Sequence, residues 1–307
     1  MKPFLRRFIS LLLPLAAACS VYAQQDPQYS MYMFDKMAIN PAAAGSRDAT
    51  EATLISRDQW TQIPGAPQTN ALMVEAPFAS QKVGWGLEFM NDNVGPTSSN
   101  SIQGNYAYHM HLFKGQLALG LGLGIYDYDI NFGKINYKDA SDPMNTYANS
   151  QKIVPNADFG VYYYSNTFYA GFSFNHLIQG QQTSNSPVDS ADFRPHAYLM
   201  IGKGYELSDN VLFSPSIIAK VAENSPVTAD FNADFLLQDK LWLGAGYRTG
   251  YGFTFLAAYR ALGYLQIGFD YDLGLNAIGQ AGGGTYELSV TVDFGKRKMA
   301  QVSPRYL

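Results

Sequence analysis

The chain has 307 residues, of which 14% are aromatic and only 15% charged, with a formal net charge of −4 and one cysteine. The acidic balance excludes the basic face that nucleic acid binding requires, and a single cysteine excludes a disulfide framework. Beyond the first 23 residues there is no apolar run long enough to cross a membrane as a helix, so a membrane protein of this sequence must cross as a closed barrel of strands.

Residues 1–23 read as a secretion signal. Lys2, Arg6 and Arg7 form the basic start, Phe8 to Ala18 an apolar core broken by Pro14, and Val21-Tyr22-Ala23 the small-residue cleavage pattern before Gln24. The competing reading acylates Cys19, but the usual lipoprotein leucine is one place out of register at Leu15. Cleavage after residue 23 removes the only cysteine and three of the 21 basic residues but none of the 25 acidic ones, taking the formal charge to −7. A cysteine-free acidic chain suits an oxidising compartment.

Residues 24–48 precede the first strand and read as a hatch packed in or under the barrel mouth, with an ordered but passive leader as the alternative. Asp26 is placed to cap a helix beginning at Pro27, with Met33 or Phe34, Met37 and Ala38 on one face. Asn40, forced out of the helical region by Pro41, ends it. Ala42 to Gly45 then turns the chain toward the barrel, with Arg47 at the exit.

From residue 49 to 294 the sequence alternates. Tyr286, Leu288, Val290, Val292 and Phe294 fall on one face and Glu287, Ser289, Thr291 and Asp293 on the other, and the same period recurs over residues 227–238 and 265–273. Strands are expected at 49–57, 68–77, 82–92, 98–111, 115–128, 153–164, 167–177, 192–207, 210–222, 226–238, 240–249, 251–261, 263–273 and 285–294. The fold class is therefore all-β: an outer-membrane barrel of about fourteen antiparallel strands with a short N-terminal plug. Short connections such as Ser165-Asn166 and Leu262-Gly263 alternate with mostly longer ones, which places short turns and both termini in the periplasm. A secreted β-sandwich is the alternative that alternation alone leaves open.

Few residues suggest chemistry. His109 and His111 share a strand face, but no third ligand lies nearby, so they read as interfacial histidines and no metal is expected. Gly120, Gly122 and Gly124 lie inside a strand, not at a strand-to-helix turn; they make room in the lumen, and no nucleotide or other cofactor is expected. No GxSxG elbow exists, and strand alternation turns His176 away from Ser173 and Asn175. Asp230, Asp234, Asp270 and Asp272 read as lumen lining balanced by Lys220, Arg248 and Arg260. Trp60, Gly65 and Pro67 form the most distinctive loop, with Trp60 suited to a membrane girdle or a partner contact. Residues 295–307 form a basic tail in which Lys296, Arg297 and Lys298 are placed to meet lipid phosphates or an acidic periplasmic partner.

The segments QDPQYSMYMFDKMAINPAAAGSR, RDQWTQIPGAPQTNALMVEAPF, GWGLEFMNDNVGPTSSNSIQGNYAYHMHL, DFGVYYYSNTFYAGFSFNHL and DFNADFLLQDKLWLGAGYRTG, with the closing PRYL, together resemble the PorP/SprF family of type IX secretion outer-membrane proteins of Bacteroidetes. The chain departs from the family pattern at Ala43, where an aromatic is usual, and at Leu307, where phenylalanine is common. The resemblance implies a non-enzymatic component that helps export or attach secreted sorting-domain proteins, often large adhesins. It implies periplasmic ring and motor components as partners and, in some species, a part in gliding motility. Asn40-Pro41-Ala42 also resembles a feature of FadL-type channels for hydrophobic compounds, which is the alternative function.

Overall fold

In the computed structural model, the described residues are 27–47, 49–135, 137–139, 149–178, 194–222 and 225–294. They build one closed antiparallel sheet. The strands in chain order are β1 (Thr50–Asp58), β2 (Gln68–Pro77), β3 (Val83–Val94), β4 (Thr97–Leu112), β5 (Gly115–Ile130), β6 (Ser150–Tyr164), β7 (Phe168–Asn175), β8 (His196–Lys203), β9 (Tyr205–Ser208), β10 (Val211–Ala222), β11 (Thr228–Leu237), β12 (Leu241–Arg248), β13 (Gly252–Ala261), β14 (Leu265–Gly274) and β15 (Thr285–Phe294). β8 and β9 are successive pieces of one strand interrupted at Gly204, so the barrel has fourteen strands. It closes through β1 and β15, in register from Thr50 opposite Phe294 to Asp58 opposite Tyr286.

The alternation expected from sequence has a direct physical outcome. Glu287, Ser289, Thr291 and Asp293 are buried in the lumen, while Tyr286, Leu288 and Phe294 face outward. On β5 the outward row Leu119, Leu121, Leu123 and Ile125 is exposed, the leucine at 121 by 56%. Tyr108, Tyr205, Tyr259 and Tyr264 ring one end of the apolar belt, and Tyr247, Phe253 and Tyr286 mark the other. An apolar band between aromatic girdles is the surface that lipid selects. Leu121→Arg, in the middle of the β5 row, should therefore destabilise the folded barrel in bilayers by about 2–4 kcal/mol. Reversible urea unfolding in lipid vesicles measures this. An inward-facing polar change such as Ser289→Thr should leave the midpoint nearly fixed.

Thr50 and Phe294 lie at the same end of the barrel, here termed the terminal end. Its connections are short, including 113–114, 165–167, 209–210 and 238–240. The opposite end, the loop end, carries 59–67 and 275–284, the latter holding the short helix α1 (Ala277–Gly282), and the described residues that follow β5 and β7, 131–135 and 176–178. β4, β5 and β6 run beyond the bounds expected from apolar alternation, to residues 97, 130 and 150 at the loop end. Backbone pairing needs no apolar side chain, and polar cross-links continue the ladder above the belt: Asn91 Nδ2 donates to Asn100 Oδ1 at 2.8 Å, and Gln151 Nε2 to Asp127 at 2.8 Å.

The N-terminal segment does not form the expected α-helix. It consists of turns and two short 3-10 stretches, Lys36–Ala38 and Pro41–Ala43. Ser30 to Met37 are all buried in the lumen, so their main-chain groups are fixed by the wall, which displaces the helical bonding expected of a free amphipathic segment. The proposed capping residue Asp26, the signal 1–23 and the tail 295–307 lie outside the described residues.

Candidate functional site

The segment 27–47 fills the lumen, and each of its turns is held by a different part of the wall. At the loop end, Ser30 N–H and Met31 N–H donate to the two oxygens of Glu287 at 2.8 and 2.9 Å. The Ser30 hydroxyl donates to Asp272 at 2.9 Å and accepts from Arg57 at 3.0 Å. Arg57 is 1% exposed and bridges Asp272 at 2.6 Å and Glu287 at 2.7 Å. Arg248 pairs with Asp230 at 2.8 Å beside it. Charges this deep are tolerated only when paired and hydrogen-bonded.

The chain then descends toward the terminal end. Tyr32 Oη accepts from Asn232 at 2.9 Å. Phe34 meets Trp242 edge to face, with ring centroids 5.6 Å apart. The Lys36 ammonium donates to the Met33 carbonyl at 2.7 Å and lies 4.8 Å over the Tyr169 ring. Burial pushes the Asp35 carboxyl up to about 7, with Glu51 adding to the rise, and burial brings the Lys36 ammonium down to about 7. Taking both groups out of water favours their uncharged forms.

At residues 39–45 the segment turns back against β3–β7. The Ile39 carbonyl accepts from Ser173 Oγ at 2.7 Å and from Asn175 Nδ2 at 3.1 Å. Asn40, 0% exposed, caps the second 3-10 turn by accepting from Ala42 N–H at 2.9 Å. Its amide nitrogen donates to the strand carbonyls of Val161 at 3.0 Å and Phe172 at 3.3 Å. Asn40 is thus the first residue of a turn as well as the last of what precedes it. Asn40→Ala removes the cap and leaves its wall partners unmatched, at a cost of about 1–2 kcal/mol. Comparing its urea midpoint with that of Asn40→Asp, which keeps the cap acceptor, separates the two contributions.

The wall is cut away where the turn sits. A Cβ at Gly120 would meet the main chain of Ala42, and one at Gly160 would meet the Asn40 carboxamide 3.0 Å from its Cγ. The inward glycines of β5 make room as the sequence suggested, though Gly122 and Gly124 face Gln103 and other wall residues, not the segment. Gly45 has φ +65°, and its N–H donates to Glu75 at 2.7 Å. Arg47 closes the exit by donating to Glu51 and to the Phe34 carbonyl.

His109 is not interfacial. It is 4% exposed, with Nδ1 2.7 Å from Tyr164 Oη and Nε2 3.1 Å from the Ala44 carbonyl, so it docks the segment. His111 faces solvent at the rim. No group of three potential metal ligands occurs among the described residues. His176 also departs from expectation. Its φ of +58° breaks the alternation at the end of β7, turning it into the lumen on the same side as Ser173 and Asn175. The Ser173 hydroxyl nevertheless points to Ile39, and His176 Nδ1 lies 3.0 Å from Asn156 Oδ1. A cavity of about 50 Å³ remains beside the segment, lined in part by Tyr29, Tyr126, Tyr198, Glu88 and Asp230.

The loop residues Trp60, Gly65 and Pro67 lie away from this segment. The Trp60 ring does not sit in the lipid girdle; it packs on Gly282 of α1, where an added Cβ would come within 2.9 Å of the ring and 2.6 Å of the Trp60 Cβ. Gln62 N–H donates to the Gly282 carbonyl at 2.8 Å, tying the two loops together. The Gly65 carbonyl accepts from Gly95 N–H at 2.8 Å, and the Pro67 carbonyl from Gln59 N–H at 2.9 Å. Lys296, Arg297 and Lys298 fall outside the described residues. The strongest anchors, Arg57, Glu287, Ser30 and Glu75, were not singled out from sequence, and His109 was singled out for a different role. The available signal was a charged residue at an inward position of an alternating strand, as Arg57 is on β1.

A family model described as type IX secretion system membrane protein PorP/SprF matches residues 21–292. No curated protein matches the chain. Among solved structures, similarity is found to a Pseudomonas aeruginosa FadL homologue (12% identity, 88% of this chain and 95% of that one, TM-score 0.44). It is also found to Omp33 of Acinetobacter baumannii (11%, 81% and 100%, TM-score 0.43) and the NanC porin (12%, 81% and 100%, TM-score 0.40).

Proposed function

Because the chain belongs to the PorP/SprF family of type IX secretion system membrane proteins, we propose that it is a non-enzymatic component of that system which works through its surfaces and not by conduction. In this reading it supports export or surface attachment of sorting-domain proteins, large adhesins among them, with gliding motility as one process served. The terminal end faces the periplasm, where ring and motor components of the system dock. The observation that carries the reading is the filled lumen: Ser30, Asn40 and Gly45 are each bonded to a different sector of the wall. A segment held at both ends and in the middle leaves no continuous path for a secreted polypeptide.

The test is deletion of this gene in its host, followed by proteomics of the surface and medium. Loss of one or a few sorting-domain proteins with the rest retained supports the proposal and makes the component substrate-specific. Loss of the whole class supports it as a core part. An unchanged surface with slowed growth on a hydrophobic carbon source would replace it with a FadL-like transport function. Purified protein in planar bilayers should show no large stable conductance, and finding one would refute action through surfaces alone.

A further inference from the structure

A closed barrel has no sheet edges, because each strand is paired on both sides. Among the described residues, edges remain where neighbouring strands differ in length: β6 runs past β7 at the loop end, and β9 runs past it at the terminal end. β7 begins at Phe168, which lies opposite Lys203, and Gly204 N–H makes a last bond to the Thr167 carbonyl at 2.9 Å. Beyond it β9 continues for Tyr205-Glu206-Leu207-Ser208, paired with β10 alone among the described residues. All four residues are exposed, Leu207 by 60% and Tyr205 by 44%. The register shift opposite Val211 and Leu212 leaves Leu207 as an extra residue, a bulge within β9 that adds twist to this edge but does not cover it.

The chemistry of the edge states what it fits. Its unpaired main-chain groups accept an extended strand and nothing else of comparable complementarity. Continuing the alternation of β8 puts Tyr205 on the outer face and Glu206 on the inner one; Leu207, exposed at the bulge, follows, and Ser208 lies opposite Val211. Tyr205 stacks on Phe213 and Phe213 on Phe235, so the outer face extends the aromatic girdle. The Lys203 ammonium lies on the outer face, 4.7 Å over the Tyr205 ring, so the strand leaves the girdle here and β9 runs from Tyr205 toward water at the terminal end. Asp209 on the turn that follows adds acid close to Glu206 in the chain, while on the adjoining turn, joined by Gln238 N–H to the Asn210 carbonyl at 2.8 Å, Asp239 is offset by Lys240.

We infer that β9 is a docking edge for an extended segment of a partner protein, one that alternates apolar residues with basic ones. The apolar residues lie beside Tyr205 and Leu207, and a lysine or arginine lies opposite Glu206. The inference concerns a surface distinct from the lumen and holds whether or not the secretion role does; the side of the membrane on which the partner waits follows from the orientation proposed above.

Two ten-residue synthetic peptides, one alternating valine and lysine and one alternating valine and glutamate, provide the probe. Amide hydrogen exchange is measured on the whole mature barrel in detergent. The lysine peptide should slow exchange at residues 205–208 by tenfold or more, the glutamate peptide should not, and Glu206→Lys should reverse the preference. Equal protection by both peptides, or none by either, would overturn the inference. Slow exchange at 205–208 without peptide, made fast by deleting residues 295–307, would also overturn it by assigning the edge to the chain's own basic tail.

Discussion

Gly120→Val should unseat the N-terminal segment and open the barrel. The substitution places three carbons where the main chain of Ala42 now lies. Neither side can yield cheaply: one is a paired strand of the wall, and the other is a turn fixed by Asn40 and His109. Overpacking of this kind costs about 1–3 kcal/mol when flexible side chains give way, with the upper end expected against main chain. The barrel itself retains its ladder, so the segment is what moves. Two readouts should change together: the urea midpoint falls, and step-like conductance appears in planar bilayers. Gly104→Ala is the matched control on β4, because a Cβ there meets nothing nearer than 3.9 Å. Persistence of a closed barrel in Gly120→Val, with a normal midpoint, would mean that the segment does not rest on that wall.

Arg57→Met should be the more damaging change. The guanidinium holds Asp272, Glu287 and the Ser30 hydroxyl at once, and all of these are buried. Methionine keeps much of the volume but leaves Glu287 without its cation and Asp272 with only the longer pair to Arg248, at 3.5 Å. Breaking a buried pair by removing one partner costs about 3–5 kcal/mol. The expected result is a much lower urea midpoint and protease cleavage near residue 30 under conditions where the wild type is resistant. Adding Glu287→Gln to Arg57→Met should restore part of the loss, because the uncompensated charge disappears; strict additivity of the two changes would show that they do not share a network.

The strand order and most strand bounds were legible because two solvents act on the wall. Lipid outside and a polar lumen inside force a period of two on each strand, and that period is written in residues such as Tyr286 to Phe294. The segment 27–47 carries no such period. Its helical appearance came from local spacing, whereas its shape comes from contacts such as Asn40 with Val161 and Ser30 with Glu287, 121 and 257 residues away. Asn40, Pro41, Gly45 and Arg47 stood out because their types are unusual before a strand; Trp60 also stood out, but its partner Gly282 could not be read from its own neighbourhood. His176 was misplaced because a single left-handed residue reverses facing, and strand alternation has no means of signalling it.

The bonds from Ser30 and Met31 to Glu287 also bear on how the molecule assembles. The earliest described part of the chain depends on the last strand for its anchor, so the segment cannot settle until β14 and β15 have been made and brought round to β1. Closure of the seam and seating of the segment are therefore one event in time. A nascent barrel arrested before its final hairpin would be open at the side and hollow in the middle, with Arg57 still awaiting both of its carboxylates.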